Sequence, residues 1–134
     1  MISTSPLDGL PTTTSLVDHA HALGIRVWWT GPPGQGRWSQ QHRSIWLDGT
    51  LTCRRAKSLL AHELGHAFYG DDGPQPEHLE RRAWRYAAWL LLTDRAYAHA
   101  ERLYGHRAGA LADALDVTDD VIHAYRDLRA RSAA

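Results

Sequence analysis

Two periodicities divide the chain. A period of two is confined to roughly residues 25–48, and apolar positions recur three and four apart before and after it. Thr14 or Ser15 caps a first helix, with Asp18 three residues beyond Ser15 in a capping-box arrangement. Leu16, Val17, Ala20 and Leu23 form its apolar stripe, and Gly24 ends it. His19 and His21 fall on this helix and read as surface residues. Ile25 to Thr30 then alternates, with Ile25, Val27 and Trp29 on one face and Arg26, Trp28 and Thr30 on the other, which predicts a strand. Gly31 to Gly36 is a turn without the Lys-Ser/Thr ending of a phosphate loop. Arg37–Gln41 is a short second strand. Ser44–Asp48 is a third, with Ile45 and Leu47 inward and Trp46 opposite. The tryptophans here fit a small antiparallel sheet packed on a helix, and that explanation is preferred to ligand stacking.

Thr52 is the N-cap of a central helix running to about Tyr69 and stopped by Gly70. Its first turns carry Arg54, Arg55 and Lys57, against the helix dipole, so an acidic partner or plain solvation must accommodate them. Asp71–Pro76 is a polar loop. A long helix follows over about Glu77–Leu92, with Ala83, Ala87, Leu90 and Leu91 inward. Thr93-Asp94 breaks and recaps it, and helices follow at roughly Arg95–Tyr104, Arg107–Leu115 and Asp119–Ala130. The order predicts an α+β fold: an N-terminal helix and a small antiparallel sheet on the central helix, then an all-helical C-terminal part over 95–134. One domain is expected over 1–134, with residues 1–12 as a flexible lead-in.

Composition narrows the function. Fifteen basic and fifteen acidic side chains give zero formal charge, which argues against a globally basic nucleic-acid binder and a polybasic membrane protein. All the basic residues are arginine except Lys57. Cys53 is the only cysteine, so no disulfide framework or thiolate zinc site is available. Met1–Ser15 has neither a basic n-region nor an apolar h-region, and no apolar run approaches the ~18 residues that span a bilayer. A cytoplasmic protein without a membrane partner is the expectation.

The candidate chemistry lies in Ala61-His62-Glu63-Leu64-Gly65-His66. Histidines four apart on a helix share a face, so both imidazoles reach one metal ion, and Glu63 beside them is placed to act on water rather than as a ligand. A catalytic zinc takes three protein ligands. Asp71, Asp72, Glu77, His78 and Glu80 are the candidates for the third. Asp72 stands where some zinc peptidases carry a third ligand, but the glycine that should precede it is displaced to Gly70. The methionine turn of those enzymes is also missing, since the only methionine is Met1. Glu80 is better supported: Glu80, Ala83, Ala87, Leu90 and Leu91 lie on one helix face, with small residues that allow close approach. Glu77 shares that face and is the reserve. Either acid is otherwise an ordinary surface partner for Arg81, Arg82 or Arg85.

HELGH followed by Glu80-x-x-Ala83-x-x-Tyr86-Ala87-x-x-Leu90-Leu91 resembles the ImmA/IrrE family of metallo-endopeptidases over about residues 44–93. Tyr86 replaces the usual Phe, and Thr93 stands near the usual Pro. The resemblance implies a minimal gluzincin-like fold, His62, His66 and Glu80 as zinc ligands, and Glu63 as the catalytic residue. It further implies a protein often carried by phages or mobile elements, whose substrate is an intracellular regulator such as a helix-turn-helix repressor. By analogy with similar zinc peptidases, substrate is expected to lie extended along Ser44–Leu47 if that strand is an edge. Tyr69, His78, Tyr86 and His99 are conceivable oxyanion stabilisers.

A rival class rests on Ala110–Tyr125, which resembles a helix-turn-helix. It suggests a non-catalytic, zinc-stabilised DNA- or protein-binding regulator. Its reading helix would begin with Asp119 and Asp120, carboxylates facing phosphate, so a two-helix packing unit is preferred and direct nucleic-acid binding is not expected.

Overall fold

The first helix, α1 (Thr13–Ala22), begins earlier than the sequence suggests, because Thr12 and Ser15 cap it reciprocally. The Thr12 hydroxyl accepts the Ser15 N–H at 3.1 Å, and the Ser15 hydroxyl accepts the Thr12 N–H at 2.8 Å. Two otherwise unpaired amides are satisfied at once. The computed structural model describes residues 5–133. Of the proposed lead-in, residues 1–4 lie outside that range, while Leu7 and Leu10 pack on the core.

Three strands follow, β1 (Arg26–Trp28), β2 (Gly36–Ser39) and β3 (Ser44–Leu47), in the spatial order β1-β3-β2. β2 and β3 form an antiparallel hairpin, but β1 runs parallel to β3, so the sheet is mixed rather than antiparallel as expected. The reason is the path of residues 29–35, which pass around the end of β3 and place β1 on its far side. Gly31 makes that crossing: its N–H donates to the Leu47 carbonyl at 2.9 Å, and a Cβ there would lie 2.8 Å from Leu47 backbone atoms. The turn also ends β1 at Trp28, leaving Trp29 exposed rather than inward with Ile25 and Val27. A second expectation is corrected with this topology. Ser44–Leu47 is the central strand, paired on both sides, and cannot receive an extended substrate; the edges are β1 and β2.

The inner face of the sheet, with Trp38, Ile45 and Leu47, packs on α2 (Cys53–Tyr69). That helix has the predicted ends: Thr52 accepts the Arg55 N–H at 3.3 Å, and Gly70 takes a left-handed φ of 72°. α3 (Glu77–Leu91) lies on the other side of α2, and Thr93 caps α4 (Asp94–Tyr104). α5 (Ala108–Leu115) and α6 (Asp119–Ala133) complete the chain, α6 covering α3. The α5–α6 corner supplies the acidic partner of the basic first turns of α2. Arg54 pairs with Asp113 at 2.7 Å and Asp116 at 3.4 Å, Lys57 reaches Asp116 at 3.3 Å, and the Thr118 N–H donates to Ser58 Oγ at 3.1 Å.

α2 and α3 cross on small residues, Ala61, Gly65, Ala83 and Ala87, all buried. A Cβ on Gly65 would stand 2.8 Å from the Ala83 carbonyl oxygen and 3.0 Å from its Cα, contacts with backbone that cannot rotate away. Overpacking of this kind costs about 1–3 kcal/mol, against about 1 kcal/mol gained from helix propensity. Gly65→Ala is therefore expected to lower the thermal midpoint by several degrees in a circular-dichroism melt. An unchanged or raised midpoint would show that the helices tolerate separation.

Candidate metal centre

His62, Glu63 and His66 project from the middle of α2, where the helix is covered by the sheet on one side and α3 on the other; all three are buried. The four-residue step brings the two Nε2 atoms within 3.2 Å of each other. The close α2–α3 crossing then sets Glu80, in the first turn of α3, opposite them. Its Oε2 lies 2.8 Å from His62 Nε2 and 3.2 Å from His66 Nε2. Three ligand atoms at about 2.0–2.1 Å from a tetrahedral ion stand about 3.3 Å apart, so this triangle has the size such an ion requires. The donor set, two imidazoles and a carboxylate, is that of a catalytic rather than a closed structural site.

Glu63 also lies near both histidines, within 4.8 Å by one carboxylate oxygen, but its approach to His62 Nε2 is 3.8 Å, outside the tight triangle. Gly36 of β2 lies directly over it, since a Cβ there would stand 3.1 Å from Glu63 Cγ. The other sequence candidates are not brought in. Glu77 is exposed and pairs with Arg81 at 3.0 Å, four residues on, and Asp72 is exposed, accepting the Gln40 N–H at 3.4 Å.

Asp71 occupies a different position from the one considered for it. The glycine stop turns the chain back at Gly70, whose N–H donates to the Ala67 carbonyl while the Asp71 N–H donates to the His66 carbonyl at 2.9 Å. The reversal presses the Asp71 carboxylate against His66, Oδ2 to Nδ1 at 2.9 Å, on the ring edge away from Glu80. The second oxygen accepts from Arg82 at 2.8 Å, and the Arg82 guanidinium lies 4.0 Å over the Tyr69 ring. An Nδ1–H held in this way fixes the tautomer that leaves the Nε2 lone pair facing the centre. Trp84, also unanticipated, stacks on the His62 ring at a centroid distance of 4.1 Å.

Burial dominates the electrostatics. It pushes His62 down to about 4, with His66 adding to the shift and Glu80 opposing it, so its ring is neutral near pH 7. Burial pushes Glu63 up to about 7; Glu80 adds to the rise, while His66 and the Trp38 backbone amide oppose it. For His66 burial acts downward, but the Asp71 bond and the Glu80 and Glu63 carboxylates outweigh it and raise the ring above its ordinary value. A carboxyl poised near neutrality beside two imidazoles and a third ligand-type oxygen can exchange protons with a bound water at physiological pH. The cleft above these groups encloses about 460 Å³ between β2 on one side and Pro74, Glu80 and Trp84 on the other. Tyr69, His78, Tyr86 and His99 do not line it.

A comparison with curated proteins returned no match. A family model described as the IrrE N-terminal-like domain, Peptidase_M78, matches residues 22–124, from the end of α1 into α6 and so through every element that builds the centre. The match reaches well beyond the two motifs that carry the resemblance in the sequence, and the chain belongs to this metallopeptidase family.

Proposed function

We propose that the protein is a zinc-dependent endopeptidase that cleaves a regulatory protein in the cytoplasm, a helix-turn-helix repressor being the substrate class that the family suggests. The observation that carries the proposal is the His62–His66–Glu80 triangle with buried Glu63 beside it. His62, His66 and Glu80 would hold the ion. Zinc, when bound, supplies Lewis acidity toward a carbonyl and toward water. Glu63 accepts a proton from the attacking water as the new C–O bond forms at the scissile carbonyl. It then delivers that proton to the amine nitrogen as the C–N bond breaks.

Substrate is taken by β2 in this reading. The Gln35 carbonyl accepts the Asp48 N–H, so in the antiparallel alternation Arg37 and Ser39 bond to β3 while the backbone groups of Gly36 and Trp38 face the free edge. A peptide added there lies over Glu63. The helix-turn-helix-like pair acts as a brace: Val121, Ile122, Ala124 and Tyr125 are buried, and Asp119 and Asp120 begin the exposed side of α6. Neither nucleic acid nor a membrane is assigned as a partner; no helix among the described residues is long and apolar enough to cross a membrane.

The test is zinc content of the purified protein, with co-expression of neighbouring helix-turn-helix repressors scored for loss against a Glu63→Gln control. A wild type that purifies without metal, and gains neither affinity nor activity from added zinc, would overturn the proposal. Asp71→Asn probes the support of His66. Losing such a partner weakens metal affinity by roughly 10–100-fold, which competition with a chelating dye would read. Unaltered affinity would reduce Asp71 to a helix-end residue.

A further inference from the structure

We infer that the strand edge beside the centre selects substrates carrying an acidic side chain, read by Arg37. The inference rests on the peptidase reading and concerns which chains that site accepts.

Along β2 the side chains alternate. Gly36 and Trp38 face α2 and Glu63, whereas Arg37 and Ser39 face outward. The pairing register continues the outward row across the sheet, with Trp28 opposite Trp46 and Trp46 opposite Arg37. Among the described residues no helix packs on this face; α1 and α2 both lie on the other side with Val27, Ile45 and Trp38. A second cleft, of about 620 Å³, opens here, and Arg37, Trp38 and Gly73 line both it and the cleft over the metal ligands. The two are halves of one groove astride the free edge of β2.

An extended peptide paired with that edge must send alternate side chains into the two halves. The residue opposite Arg37 extends the row Trp28–Trp46–Arg37 by one strand, where neighbours interact directly. Arg37 is exposed and makes no ion pair among the described residues. Arg26 is exposed on the same sheet, and His42 lines the second cleft. The carboxylate in that cleft, Asp72, accepts the Gln40 N–H at 3.4 Å through one oxygen, and it forms no ion pair with Arg37 among the described residues. An incoming Asp or Glu therefore meets an unpaired guanidinium whose fork donates to both its oxygens, while a Lys or Arg meets like charge.

The experiment uses the full chain carrying Glu63→Gln, loaded with zinc, to select from a pool of random ten-residue peptides. The same selection is run with Arg37→Glu added, and separately with Arg26→Glu added. Expected is a roughly fivefold to tenfold enrichment of Asp or Glu at one position, switching to Lys or Arg at that position with Arg37→Glu and persisting with Arg26→Glu. Recovery of no peptides, enrichment without a charge preference, or a preference indifferent to Arg37→Glu overturns the inference. Zinc content and hydrolysis of the same pool by wild type separate the two claims. A charge switch without zinc or hydrolysis sinks only the peptidase reading, and zinc with hydrolysis but no switch sinks only this inference.

Discussion

Peptide hydrolysis is expected to fall by roughly 10²–10⁴-fold in Glu63→Gln, the contribution of a positioned general base, with zinc content unchanged. The two readouts diverge because Glu63 stands outside the ligand triangle, 3.8 Å from His62 Nε2, while Glu80 closes it at 2.8 Å. The glutamine keeps the size and the buried fit beneath Gly36 but cannot take a proton. Equal loss of metal would instead make Glu63 a ligand, and full activity would remove it from the chemistry. The same residue sets the sign of a pH effect. Its carboxyl is pushed up to about 7, so the base form grows as pH rises toward neutrality, and activity should rise with it. A bound cation draws the carboxylate's titration lower, which places the acid limb of the profile at or below pH 7.

Glu80→Ala is expected to act in the opposite order, on the metal first. Removing one of three protein ligands leaves two imidazoles 3.2 Å apart with no anionic partner from α3, and two histidines hold zinc poorly. Zinc affinity should drop by about 100-fold or more, beyond the effect of a mere supporting contact, and activity should disappear with it at limiting zinc. Glu80 is about two-fifths exposed at its side chain, so its loss creates no core cavity, and the apo protein should melt close to wild type. Retained zinc in this variant would shift the third-ligand role to Glu63 and would contradict the outcome expected above. The two substitutions thus check each other.

How much of this is legible in the sequence depends on how local the determining physics is. The ends of α2 are readable because Thr52 and Gly70 act on amides and carbonyls within a turn of themselves. Glu80 is readable because a helix face has a fixed period, and the small residues Ala83 and Ala87 mark the side that approaches closely. Trp84 carries the same positional signal, four residues beyond Glu80, but nothing in its donor chemistry marks it as part of the site. The pairing of the sheet is not legible, for the opposite reason. Alternation in Ser44–Leu47 says which side chains turn inward, but not which strand lies alongside; that follows from the passage of residues 29–35 around the end of β3. Arg54 and Lys57 look unpaired in sequence because Asp113 and Asp116 lie about sixty positions away. Asp71 was visible as an acid near the site, but its contact with Nδ1 depends on the reversal at Gly70.

The close packing of α2 on α3 has a consequence for the order in which the site is assembled. The three groups of the triangle are separated by only 14 and 18 positions along the chain, and the loop joining their helices is short. Closing so small a loop costs little chain entropy, so an αα-hairpin spanning residues 53–91 contains all three proposed ligands. The strand edge over Glu63 is contributed from more than twenty residues upstream and joins through longer-range contacts. In the proposed reading, metal capture and substrate selection then fall to different stretches of the chain, and loosening of the sheet would silence cleavage while leaving the ion in place.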